Sequence, residues 1–67
     1  MDRNFPEKLI KLRKKKRETQ LDVAKAINVS QSTYAMYERG QRVPSDENKK
    51  KIASHFEKTV QNIFFEQ

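Results

Sequence analysis

Apolar residues recur along the chain at the spacing of amphipathic helices. Phe5, Leu9 and Leu12 are separated by four and three residues, which places them on one face of a helix. Four narrower apolar groups follow: Val23, Ala24 and Ile27; Tyr34 and Tyr37; Ile52, Ala53 and Phe56; Val60, Ile63 and Phe64. No segment alternates apolar and polar residues for long enough to indicate a buried strand. The pattern predicts an all-α chain of five short helices.

A residue suited to capping a helix N-terminus precedes each apolar group. In chain order the candidate caps are Asn4, Thr19, Ser30, Ser45 and Thr59. Glu7 and Asp22 stand three residues after the first two caps, as in a capping box. Gly40 is a stop signal for the third helix, and Asn28 tolerates the left-handed backbone of a tight turn.

Composition alone leaves the folded state open. Of the 67 residues only 34% are apolar and 36% are charged, whereas typical globular chains are about 45–50% apolar. The agreement between caps and apolar stripes argues against disorder. A chain of this length forms one domain, which we expect to span residues 1–67.

The positive charge is concentrated at one end. The net charge is +6, and residues 1–17 hold eight basic and two acidic residues. Such a cluster suggests a polyanionic partner, with nucleic acid preferred over a membrane. Two other interpretations stay open: a solvated lysine-rich helix face, and a membrane-bound amphipathic helix over residues 5–17.

Several protein classes are excluded or disfavoured. The chain has no cysteine, and its one histidine cannot form a metal site alone. No apolar run approaches the ~20 residues that span a bilayer, and no signal peptide is expected at the N-terminus. Because nucleophile–base sets and glycine-rich phosphate loops are lacking, we expect no enzyme, no metal and no cofactor. Since no membrane-spanning run and no signal peptide are expected, we expect a cytoplasmic location.

Residues 20–39 have the pattern of a helix-turn-helix. Ala24 is small where two helices would cross, and Asn28 permits the turn between them. Val29 and Tyr34 are placed to fill the space between the helices, and both tyrosines of the third helix are expected in the core. In this motif the second helix enters the major groove of DNA.

The sequence resembles the Cro/XRE family of lambda-repressor-like helix-turn-helix regulators. The resemblance rests on the runs Thr19–Ala24, Val29–Tyr34, Tyr37–Gly40 and Pro44–Ser45, and it covers about residues 5–64. It implies a compact five-helix DNA-binding domain and a sequence-specific transcriptional regulator, a repressor of bacterial or phage (mobile-element) origin. It further implies a homodimer on a palindromic double-stranded operator, without a small-molecule ligand. A protein-interaction module of the antitoxin kind, with secondary DNA binding, is the alternative.

The resemblance also implies roles for particular residues. Those expected to read bases are Gln31, Ser32, Ala35 and Met36. Those expected to contact phosphates are Gln20, Thr33, Arg39, Arg42, Lys15 and Arg17. Arg13 and Glu38 match an ion pair that ties the first helix to the third. Glutamine can bind adenine through two hydrogen bonds, and an alanine methyl can contact thymine.

The chain departs from the family at four positions. Arg17 replaces a common glycine, Glu18 an apolar residue, Asn28 the turn glycine, and Lys49 an apolar residue of the fourth helix. We therefore expect a tighter or longer connection at Arg17, and a solvated face over residues 49–51. His55 is expected to be a packed or surface histidine.

The C-terminal apolar residues raise the question of a dimer. One helix cannot bury three consecutive residues, so the run from Ile63 to Phe65 should leave an aromatic ring exposed. Ile63 and Phe65 are the predicted dimer contacts. The alternative is that Phe65 folds back over a small core.

Overall fold

The structure, a computed structural model, describes residues 1–66. It consists of α1 (Phe5–Lys15), α2 (Gln20–Ala26), α3 (Gln31–Arg39), α4 (Asp46–His55) and a C-terminal π-helical turn (Gln61–Phe65). No strand occurs among the described residues. The predicted all-α class with five short helices is confirmed.

Three of the predicted N-terminal caps form as expected. Thr19 accepts the Asp22 N–H on its hydroxyl at 3.1 Å, and Asp22 Oδ2 accepts the Thr19 N–H at 2.8 Å, which completes a capping box. Ser30 and Ser45 cap α3 and α4 through their hydroxyls. Gly40 ends α3 in the left-handed conformation, with φ of 72°. Helix boundaries in this chain therefore follow from local side-chain hydrogen bonds.

The first helix is capped differently from the prediction. Asn4 makes no side-chain cap, whereas Asp2 Oδ1 accepts the Asn4 N–H at 2.7 Å. Asp2 is buried, its other oxygen pairs with Lys8 Nζ, and its N–H donates to the Phe64 carbonyl at 2.7 Å. The hydrogen bonds from Lys8 and Asn4 hold the pKa of the Asp2 carboxyl below its usual range. Asp2 thus joins the start of α1 to the C-terminal turn, a contact that helical periodicity does not reveal.

Three non-glycine residues adopt positive φ, each just after a helix. They are Arg17 (58°), Asn28 (60°) and Glu57 (55°). At Arg17 and Asn28, where the family commonly has glycine, the backbone adopts the left-handed conformation. Arg17 does so at a cost of about 1 kcal/mol.

The core is formed by one stripe from each element. Its buried residues are Phe5, Leu9, Val23, Ala24, Ile27, Tyr34, Tyr37, Ile52, Ala53, Phe56, Ile63 and Phe64. The two tyrosine rings pack edge to face with centroids 6.2 Å apart, so their predicted place in the core is confirmed. α3 packs against both α1 and α2, and the C-terminal turn packs against α1.

Lys49 does not belong to a solvated face, as had been expected. It is only 9% exposed, and its ammonium lies 5.8 Å from the Phe64 ring centroid and 5.2 Å from that of Phe65. Its aliphatic stem fills a position where the family has an apolar side chain, because lysine can bury its methylenes and keep its charge at the surface. The aromatic faces then attract the ammonium.

The structure of the C-terminal segment contradicts one of the two predicted dimer contacts. Its regular part begins at Gln61, after the expected start at Thr59, although the Thr59 hydroxyl still accepts the Asn62 N–H at 3.0 Å. Phe65 is 45% exposed, as expected because one helix cannot bury three consecutive residues. Ile63 is 1% exposed and packs in the core of its own chain, so it cannot contact a second copy.

Candidate nucleic-acid interface

α2 and α3 are joined by a tight left-handed turn. Asn28 supplies the positive φ, and the Val29 N–H donates to the Ala24 carbonyl at 3.0 Å. Val23 and Ala24 are completely buried, so the α2 backbone approaches its neighbours closely through small side chains. This geometry leaves one face of α3 outside the core.

A polar network fixes the orientation of α3. Arg13 Nε lies 2.7 Å from Glu38 Oε2, and Arg13 Nη2 donates to Glu38 Oε1 at 3.1 Å. Gln20 Nε2 donates to the same Oε1 at 3.0 Å, and Arg13 Nη1 donates to the Glu18 carbonyl at 3.0 Å. α1 and α2 therefore both hold α3 through one carboxylate, and the Arg13–Glu38 contact matches the ion pair that the resemblance implied.

The electrostatics of this network follow from its burial. Burial alone would raise the pKa of Glu38, which is 5% exposed, but the hydrogen bonds from Arg13 and Gln20 outweigh it and the pKa is lowered. Burial and the neighbouring Glu38 carboxylate raise the pKa of Tyr34. The Tyr34 hydroxyl is buried and has no hydrogen-bond partner within residues 1–66. The donors thus keep the carboxylate on the inward side of α3 ionised.

The outward face of α3 carries three of the four predicted base-reading residues. Gln31 and Ser32 are exposed, and Met36 is partly exposed. Ala35, by contrast, is 8% exposed. It is buried without belonging to the core cluster, and this burial leaves it little accessible surface for contact with a thymine methyl.

Hydroxyl groups cluster at the start of α3. Ser30 Oγ donates to Thr33 Oγ1 at 2.9 Å and lies 3.3 Å from Ser32 Oγ. In the free protein these groups satisfy one another next to the positive end of the helix dipole. Hydroxyls and free N–H groups at such a position suit an anionic oxygen.

Most of the predicted cationic phosphate contacts lie at the surface near this motif. Arg17 follows α1 directly, Arg39 ends α3, and Arg42 stands in the loop after it; all three are exposed. Arg39 Nε donates to Gln41 Oε1 at 2.9 Å, which extends the arginine along the loop.

Lys15 is the exception among these cations. It is exposed, but at 100° per residue it lies about 160° around α1 from Arg13, the residue that pairs with α3. Helical geometry therefore places Lys15 on the side of α1 away from α3, and we leave it out of the proposed phosphate contacts.

Sequence reasoning missed a second polar contact. His55 Nε2 lies 2.7 Å from Glu18 Oε1, and Lys16 Nζ donates to the His55 carbonyl at 3.0 Å. The end of α4 is thereby joined to the α1–α2 connection, which explains the polar residue at position 18. The two side chains are 37 residues apart in sequence, so no local signal could have paired them.

A buried two-helix motif with a left-handed turn and an outward recognition helix defines a helix-turn-helix DNA-binding protein. A family model described as helix-turn-helix, of the Cro/C1 type, matches residues 9–63. The chain belongs to this family, whose members are DNA-binding transcription regulators and not enzymes. Searches of curated proteins and of solved structures gave no match. No helix within residues 1–66 is long and apolar enough to cross a membrane.

Proposed function

We propose that this regulator is a repressor of bacterial or phage origin, acting in the bacterial cytoplasm, which inserts α3 into the major groove of an operator. The observation that carries the proposal is the contrast between the two faces of α3. Glu38 is fixed from inside by Arg13 and Gln20, while Gln31 and Ser32 face outward without charge. A rigid helix with neutral hydrogen-bonding side chains suits base reading.

Gln31, Ser32 and Met36 would read the bases. The amide of glutamine can pair with adenine N6 and N7, serine can donate or accept, and the methionine side chain offers apolar contact to a thymine methyl. Because these residues are uncharged, they contribute sequence choice more than overall affinity.

Phosphate contacts would come from Gln20, Thr33, Arg39, Arg42 and Arg17. Gln20 uses one amide hydrogen on Glu38, and its second remains available to a phosphate oxygen. One side chain would then couple the position of the DNA backbone to the orientation of α3. Contacts of this kind set register and affinity without reading sequence.

A symmetric dimer would read two half-sites about 34 Å apart. Phe65 is the side chain that supports this part of the proposal, because its ring is 45% exposed although Lys49 lies against it. A second copy of the chain could cover the remaining aromatic surface. The operator would then be palindromic.

The test is Gln31→Ala measured on two kinds of DNA. The site is first obtained by selecting bound sequences from random DNA with the unmodified protein. On that site Gln31→Ala should cost about 1–3 kcal/mol, a loss of roughly 5- to 150-fold, with affinity for random DNA largely retained.

The matched control is Gln61→Ala, which removes an exposed glutamine from the C-terminal turn. It should bind both DNAs like the unmodified protein. An equal loss on specific and random DNA for Gln31→Ala, or an equal loss for the two variants on the selected site, would refute base reading by α3.

A further inference from the structure

A lysine-rimmed groove runs along α1 on the side of the C-terminal turn. It consists of two adjoining depressions of about 430 Å³ and 370 Å³ that share Leu12 and Lys58. Leu12, which is half-buried, is the accessible apolar residue of the floor; the buried side chains of Ile63 and Phe56 lie behind it, one in each depression. Because the two depressions share Leu12 and Lys58, they form one elongated groove that runs parallel to α1.

The rim of this groove is positive. Among the described residues five lysines and two glutamates line the two depressions. The Lys8 ammonium already binds Asp2 and the carbonyls of Asn62 and Glu66, so Lys8 forms part of the groove wall and is not counted among the lysines that would bind a partner. Lys11 and Lys15, one helical turn apart on α1, and Lys58 across the groove are exposed.

The groove lies away from the helix-turn-helix. Arg13 marks the side of α1 that faces α3. Lys8, Lys11 and Lys15 lie about 140–160° around the helix from it. The basic N-terminal region is therefore divided between two surfaces, and DNA held by α3 would leave this one uncovered.

We propose that the groove binds an acidic amphipathic helix of a partner protein. The apolar residues of that helix would cover Leu12, and its carboxylates would pair with Lys11, Lys15 and Lys58. Charge complementarity and the apolar floor favour this occupant over a second DNA segment, because a phosphate backbone offers no apolar group that could contact Leu12. The length of the groove favours a helix over a compact anion.

The spacing of the lysines defines the partner chemistry. Lys11 and Lys15 are separated by four residues, so a helix lying alongside α1 meets them with two Glu or Asp residues at the same spacing. Leucine or a similar side chain between those acids would reach Leu12. This surface would let a partner bind while α3 holds DNA.

The probe is a synthetic acidic helical peptide of about 15 residues, with Glu pairs at i and i+4 flanking leucines. A scrambled peptide of the same composition is its control. Binding is measured by fluorescence anisotropy against the full chain, K11E/K15E and K50E/K51E. The last pair makes the same charge change at exposed positions on α4, and circular dichroism checks that all three proteins are folded.

We expect the peptide to bind the unmodified chain and K50E/K51E alike, and K11E/K15E at least tenfold more weakly. The scrambled peptide should bind the unmodified chain at least tenfold more weakly. No binding to the unmodified chain, equal losses in both variants, or equal binding of the scrambled peptide would each overturn the proposal.

DNA binding by the same variants distinguishes this groove from the operator interface. K11E/K15E should bind DNA at least as well as K50E/K51E, because Lys11 and Lys15 lie on the side of α1 away from Arg13, whereas Lys50 and Lys51 line a depression that Ala26 of α2 also lines. If K11E/K15E loses affinity for DNA beyond the loss in K50E/K51E, the groove belongs to the DNA interface and the proposal fails. A chain that binds no operator at all would refute the repressor proposal and leave the peptide result standing.

Discussion

Arg13→Ala probes the network that holds α3 in place. The substitution removes both hydrogen bonds to Glu38 and the bond to the Glu18 carbonyl. Glu38 would keep only Gln20 as a donor while remaining almost completely buried. An ionised carboxylate in that position is the main source of the expected destabilisation.

The expected loss of folding stability is large for a chain of this size. Removing one partner of a buried ion pair costs about 3–5 kcal/mol. Domains of comparable length have total stabilities of roughly 3–10 kcal/mol, at about 0.05–0.15 kcal/mol per residue. Arg13→Ala should therefore remove much of the free energy of unfolding. It should lower the Tm by well over 10 °C, at about 4–8 °C per kcal/mol.

Glu38→Ala should cost less than Arg13→Ala. The arginine it leaves behind is 15% exposed, so its guanidinium can reach water and still donate to the Glu18 carbonyl. The double variant should cost less than the sum of the two single substitutions, because it leaves no buried charge unpaired.

The assay is urea denaturation of these variants between pH 7 and pH 4. In the unmodified protein the pKa of Glu38 is lowered, so its contribution to stability is present above 4.5 and is lost as the pH falls through the folded value. Without Arg13, burial dominates and raises that pKa, so the folded state gains stability as the pH falls toward 4.5. The difference between the two proteins should shrink on acidification.

Two results would refute this reasoning. An unchanged midpoint for Arg13→Ala would show that the ion pair contributes nothing to stability. A cost that stays constant from pH 7 to pH 4 would show that the buried carboxylate is not its origin.

Five other substitutions, at four positions, test single features of the fold by thermal denaturation. Arg17→Gly should stabilise the chain by about 1 kcal/mol, because it relieves the left-handed strain at φ of 58°; a lower Tm would contradict this. Thr19→Ala removes the cap of α2 and should cost about 1 kcal/mol, whereas Thr59→Ala at the shorter C-terminal turn should cost less. Lys49→Met keeps the buried stem and should leave the Tm within a few degrees, while Lys49→Asp should lower it strongly because it buries a carboxylate against Phe64.

Local sequence signals were sufficient where the structure depends on neighbours along the chain. The caps at Thr19, Ser30 and Ser45, the left-handed Gly40 and Asn28, and the buried tyrosines all follow from side chains within a few residues of each other. Such features depend on backbone hydrogen bonds and helical periodicity, which operate over one or two turns.

Contacts between distant segments decided the rest. The Asp2 carboxylate binds the Asn4 N–H just before α1, where the N-terminus meets the C-terminal turn. His55 contacts Glu18 because α4 ends beside the α1–α2 connection. The covering of Ala35 and of Lys49 also depends on which side chains pack around them. The amino-acid pattern determined the helices and the outward residues of α3. Packing alone determined which lysines of α1 face away from α3, because the rotation of a helix about its axis is set by what it is packed against.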